Sequence, residues 1–206
     1  MTTENSNLRV VTILISSTLL LIVSHHHTLF REETFSSFIF YLLIPVGIIL
    51  VLFRDDPRKF GLAIGDWRKG LLFCLLGIAV MAVIIALLAR LEEFEQYYRS
   101  GIFEHPETAK VLEFALRQAV YMFSWEFMFR GFMLFGLKDR FGSLAVWIQA
   151  IPFAIMHLGK PELETLSTIF GGAAFGYVDL ESGSVLPSVI IHWSISMMMV
   201  VAATNA

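Results

Sequence analysis

Apolar residues in this chain gather into runs near 20 residues long, the length a helix needs to cross roughly 30 Å of hydrocarbon. Seven such runs can be marked, at about 9–24, 35–53, 70–89, 111–137, 143–158, 163–180 and 185–203. Backbone groups in lipid must find their partners within the segment, so each run is expected to be a helix. The fourth run is long, about 40 Å at 1.5 Å per residue. Its first part carries Glu113, Arg117 and Gln118, so it is expected either to lie partly in the interface or to break in two. The expected fold is therefore all-α, a polytopic membrane bundle of about seven to eight transmembrane helices. No boundary, internal repeat or low-complexity tract divides residues 1–206, which read as a single membrane domain with N-terminal spans and loops over 1–110 and a core over 111–200.

Composition agrees with the pattern. Of the 206 residues 56% are hydrophobic and 16% charged, against about 25% charged in soluble domains, and the mean hydropathy is +0.70. The formal charge of −3 says little, because the charges sit in loops and a few intramembrane positions; nucleic acid is not an expected partner. Cys74 is the only cysteine, which excludes a disulfide framework and a thiol zinc site. Leu8 to Val23 lacks a small-x-small cleavage pattern before Ser24-His25-His26-His27, so it reads as a retained first span, with the histidines at its interfacial end. The densest basic segment is Arg54 to Lys69. Placing it in the cytoplasm puts the N-terminus inside, keeps Lys138 and Arg140 inside, and sends the Glu-richer loop Arg90 to Lys110 outside.

Ionisable groups at membrane depth cost about 2.5–3.5 kcal/mol each on insertion scales and so mark candidate sites. Here they are Glu126 and Arg130 in the fourth run, His157 near the end of the fifth, and His192 with Ser196 in the last. Counted from the expected cytoplasmic ends at about 1.5 Å per residue, Glu126 lies roughly 18 Å deep and Arg130 roughly 12 Å. His157 lies roughly 21 Å deep, His192 roughly 12 Å and Ser196 roughly 18 Å. Glu126 and Arg130 alone read equally as an i,i+4 ion pair, and each histidine alone as an interhelical hydrogen-bonder. Three helices that bring such groups to one slab favour a site. Its chemistry would be water activation, with Glu126 as general base and two imidazoles to hold water or donate to an oxyanion. Glu126, His157 and His192 would also compose a zinc set, although no His-Glu-x-x-His motif accompanies them. Elsewhere, Gly172 and Gly176 in a Gly-x-x-x-Gly pair are expected to let helices approach closely. Pro161, Glu162 and Glu164 are expected to start the sixth helix, where acidic residues suit the helix dipole.

The residues Trp125-Glu126-Phe127-Met128-Phe129-Arg130-Gly131, Phe153-Ala154-Ile155-Met156-His157 and His192-Trp193-Ser194-Ile195-Ser196 resemble three ordered motifs. They are those of the CAAX protease and bacteriocin-processing enzyme family of intramembrane proteases: Glu-Glu-x-x-x-Arg, Phe-x-x-x-His and His-x-x-x-Asn/Asp. The segment Phe60-Gly61-Leu62 through Gly65-Asp66-Trp67-Arg68 is similar to one common in bacterial members. The resemblance implies a protease-like core over 111–200 in a bacterial cell membrane. It implies a membrane-associated peptide substrate, water activated by a glutamate and the histidines, Arg130 and Ser196 in support, and a divalent metal, zinc, as an open option. Two positions depart from the motifs: Trp125 stands where the first glutamate belongs, and Ser196 where Asn or Asp belongs. A peptide-binding scaffold without catalysis and a small proton-coupled carrier are the alternative functions.

Overall fold

The computed structural model describes residues 3–99 and 108–204. Among them are eight helices and no strand: α1 (Thr3–His26), α2 (Glu33–Leu52), α3 (Trp67–Leu88), α4 (Glu92–Arg99), α5 (108–141), α6 (Leu144–Ile155), α7 (Glu162–Ser182) and α8 (Leu186–Thr204). The fold is the expected all-α membrane bundle. Three helical stretches, Ser6–His26, Glu33–Leu52 and Trp67–Leu88, are long and apolar enough to cross a membrane on their own. The others are shorter or interrupted by the polar residues of the core.

Of the two alternatives for the fourth run, the break does not occur. Arg117, at the exposed start of α5, pairs with Glu113 at 2.9 Å and Glu32 at 2.7 Å, so these charges stay at a polar rim and the helix continues. Past Glu126 its turns widen over Phe127–Phe135 into i→i+5 bonding, a form often found at functional sites. Every residue in that stretch is buried. The eighth helix comes instead from α4, inside the segment expected to be a loop. Phe94 of α4 is buried against Ile85 of α3 and Met199 of α8.

The core wraps around the wide turns of α5. Phe132 stacks with Phe53 and Phe60, centroids 6.4 and 6.5 Å away, and Arg9 of α1 covers both rings while bonding Asp55 at 3.0 Å. The 60–66 segment docks on the α7–α8 turn, where Val185 N–H donates to the Gly61 carbonyl and Asp66 N–H to that of Ser182. Gly65 sits there at φ +62° with no room for a Cβ beside the Ser182 carbonyl. The Gly-x-x-x-Gly pair packs as expected. A Cβ on Gly172 would lie 2.8 Å from the Phe153 ring, and one on Gly176 would lie 3.2 Å from Val146, so the backbone of α7 lies directly against side chains of α6.

Candidate active site

Trp125 and Glu126 occupy the last regular turn of α5 before its wide turns, about 100° apart around the axis. The two adjacent side chains therefore serve different neighbours. Glu126 faces α8, where its Oε1 lies 2.5 Å from Nδ1 of His192. Its Oε2 lies 2.9 Å from Nη1 of Arg130, with both side chains fully buried. That ion pair is a charge contact only, because neither atom gains a directional hydrogen bond. Arg130 instead donates through Nη2 to the Gly172 carbonyl at 3.3 Å and lies 4.0 Å from the Phe153 ring centre. Gln149 donates to the same carbonyl at 2.9 Å. A cation buried this deeply is tolerable only because the carboxylate, a carbonyl and aromatic faces surround it.

His157 lies just past the end of α6, where its Nδ1 is 2.8 Å from the Phe153 carbonyl. A carbonyl only accepts, so Nδ1 carries the proton and Nε2 is left as an acceptor. The same logic applies to His192, whose Nδ1–H donates to the carboxylate. Among the described residues neither Nε2 has a protein partner. The two rings lie nearly parallel, 22° apart with centroids at 6.2 Å. Trp125 turns to the other side. It packs edge-on to His157 at 5.9 Å, stacks with Tyr121 at 5.7 Å and meets Tyr41 of α2 at 5.5 Å.

Ser196 stands one turn beyond His192, and its Oγ accepts from Nε2 of Gln118 at 2.8 Å. Close by, Trp193 Nε1–H donates to the Ala115 carbonyl at 3.0 Å, which pins α8 to α5. A cavity of about 720 Å³ is lined by His192, Ser196, Gln118, Tyr121 and Met122, and at its far side by Tyr98, Lys160 and Glu164. Glu164 accepts from Tyr98 at 2.7 Å and from Lys160 at 2.7 Å. It belongs to the first turn of α7 as expected, and it also lines the cavity.

All five residues picked out by depth, Glu126, Arg130, His157, His192 and Ser196, thus lie on facing parts of α5 and α8 and just past the end of α6. Asp179 was missed. Fully buried, it accepts from Ser188 N–H at 3.1 Å and from Ser188 Oγ at 2.6 Å. These bonds satisfy the first turn of α8, one turn before His192. The only signal was a lone acid between Val178 and Leu180, close enough to a span end to pass for an interfacial residue.

Glu126, His157 and His192 do not fit a metal ion. The glutamate oxygens are taken by an imidazole N–H and by the Arg130 cation, which leaves only the two Nε2 atoms as free donors, fewer than a protein zinc set needs. Among the described residues no three His, Cys, Asp or Glu side chains form a group that could hold one.

Residues 108–198 match the family described as type II CAAX prenyl endopeptidase Rce1-like. No curated protein and no solved structure matches the chain. The matched segment runs from the start of α5 into α8 and contains every residue of the site. Residues 108–198 are thus similar to the Rce1-like family of CAAX endopeptidases, and they follow the apolar helices α1 to α3 of an integral membrane protein.

Proposed function

From an Rce1-like segment that holds a buried carboxylate against one of two adjacent imidazoles, we propose an intramembrane endopeptidase of the CAAX-processing type. It hydrolyses a peptide bond in a membrane-associated substrate. The observation that carries the reading is the 2.5 Å contact between Glu126 Oε1 and His192 Nδ1. A carboxylate on Nδ1–H fixes the imidazole tautomer and stabilises the imidazolium once it forms, which makes Nε2 a base directed away from the carboxylate. Glu126 is fully buried and engaged at both oxygens, so its work is to orient and charge-balance His192. The proton of the attacking water passes to His192.

In the step proposed, His192 Nε2 takes a proton from water as the oxygen bonds to the scissile carbonyl carbon. The carbonyl π electrons move onto its oxygen. His157 Nε2 is a second acceptor that orients the same water. The oxyanion then collapses, the C–N bond breaks, and the proton held on His192 passes to the leaving amine. Bilayer lipid surrounds the protein, and the proposed setting is a bacterial cell membrane with the 54–69 loop in the cytoplasm.

Peptide cleavage by the purified protein in detergent tests the proposal. Loss of cleavage in Glu126→Gln, His157→Ala and His192→Ala is the expected result. Wild-type rates in all three exclude the assignment. One observation favours a second reading, a peptide-binding scaffold: Trp125 fills its position with a buried aromatic body packed on His157. On that reading the wild type cleaves nothing, and Trp125→Glu with Ser196→Asn creates proteolysis.

A further inference from the structure

We infer that Gln118 is a further catalytic residue, a hydrogen-bond donor to the oxyanion of the hydrolysis proposed above, on which this inference rests. Developing negative charge on a carbonyl oxygen needs preorganised donors beside the base, held in place before the reaction starts. The cavity carries several donors. Tyr98 gives its proton to Glu164, Lys160 donates to Glu164 and Tyr98, and Arg117 is paired with Glu32 and Glu113. Tyr121 stacks on Trp125, on the side away from the carboxylate, whereas Gln118 is bonded to α8 one turn from His192. Ser196 has a single proton on a short side chain. Gln118, from the facing helix, brings a carboxamide with two N–H groups into the same cavity.

The 2.8 Å bond from Gln118 Nε2 to Ser196 Oγ organises both groups. Because the Ser196 oxygen accepts, its own O–H points elsewhere. Because Gln118 uses one N–H on Ser196, the other is left for a ligand. The pair therefore presents two donors from two helices, locked to each other. Neither helix slides easily at this level, because Trp193 also anchors α8 to the Ala115 carbonyl of α5 at 3.0 Å. Four residues separate His192 from Ser196 on α8, about 6 Å of rise. The base and the donor pair can thus flank one carbonyl group, water arriving from one side and the oxyanion forming on the other.

A donor used only by the oxyanion is read in kcat rather than KM. In the full-length protein in detergent, Gln118→Ala is expected to lower kcat by about a hundred- to a thousandfold, with KM within about threefold. Adding Ser196→Asn to Gln118→Ala places a carboxamide on α8 itself and is expected to restore at least about a tenth of the lost rate. Unchanged kcat in Gln118→Ala, a rise in KM alone, or a loss that Ser196→Asn fails to rescue overturns the inference. Cleavage abolished by His192→Ala but untouched by Gln118→Ala overturns the role of Gln118 and leaves the endopeptidase reading standing. A wild type that cleaves nothing overturns both.

Discussion

His157 and His192 lie 6.2 Å apart with their rings almost parallel, yet their surroundings differ. The α8 side is polar and charged: Glu126 at 2.5 Å from His192, Arg130 behind it, Ser196 and Gln118 one turn along. The α6 side is aromatic: Trp125 and Phe153 pack on the His157 ring with Phe129 behind them, and the ring's only hydrogen-bond partner among the described residues is the Phe153 carbonyl. Adjacent residues on one helix create the division. On the proposed mechanism, the difference lets a site with a single carboxylate still place a base. The carboxylate goes to one imidazole, and the other is held by packing and its own helix end.

The comparison is broken most severely by removing the charge on the polar side. Glu126→Gln removes the ion-pair partner of the buried Arg130, a cost of about 3–5 kcal/mol, and loosens His192, for which a loss of kcat near 10⁴-fold is expected. Melting in detergent together with steady-state cleavage measures both. Glu126→Gln with Arg130→Met is expected to recover stability but no activity, which separates the charge from the chemistry.

On the aromatic side the effect belongs to shape. Trp125→Ala is expected to cost about 3–5 kcal/mol through the cavity it leaves, whereas Trp125→Phe keeps most of the packing and cleavage within a few-fold of wild type. A Trp125→Phe protein that melts normally but has lost cleavage would give the indole a chemical role and end the division described here.

Smaller again is Gly172→Ala. Its Cβ would press on Phe153 at 2.8 Å, the residue whose carbonyl holds His157. Overpacking of this kind costs about 1–3 kcal/mol, and the thermal midpoint is expected to fall with the rate.

The smallest effect lies outside the site. Lys59, and after it the Asp56 N–H and Arg9, hold the Asp55 carboxyl below its usual range. A lowered folded-state pKa stabilises above the ordinary carboxylate value, and the gain is lost as pH falls through the folded value. Asp55→Asn is therefore expected to lower the melting temperature slightly at pH 7, by less than about 1 kcal/mol. The difference should vanish under strongly acidic conditions.

Much of this was legible in the chain itself. Runs of membrane length gave the helices, and counting depth from loop charges brought Glu126, His157 and His192 to within about 9 Å of one another in depth, because rise per residue is nearly constant. The Gly172–Gly176 pair was readable because small surfaces have one main use between helices. What could not be read is angular. Depth does not say which imidazole a carboxylate faces, and the wide turns over Phe127–Phe135 shift the phase of everything after Glu126. Asp179 and the Tyr98–Lys160–Glu164 contacts escaped notice because each lies at a span end, where polar residues are ordinary. The helix Glu92–Arg99 was read as loop because it is too short and too acidic to resemble a span.

The central claim is that water, activated by a histidine held on Glu126, cleaves a peptide bond. Mass spectrometry of the new carboxyl terminus, after cleavage of a membrane-inserted peptide in oxygen-18 water, tests it most directly. The account predicts an oxygen-18 label in the product of the wild type and no product from His192→Ala. Equal labelled product from both proteins, or none from the wild type across a broad set of membrane peptides, would contradict it.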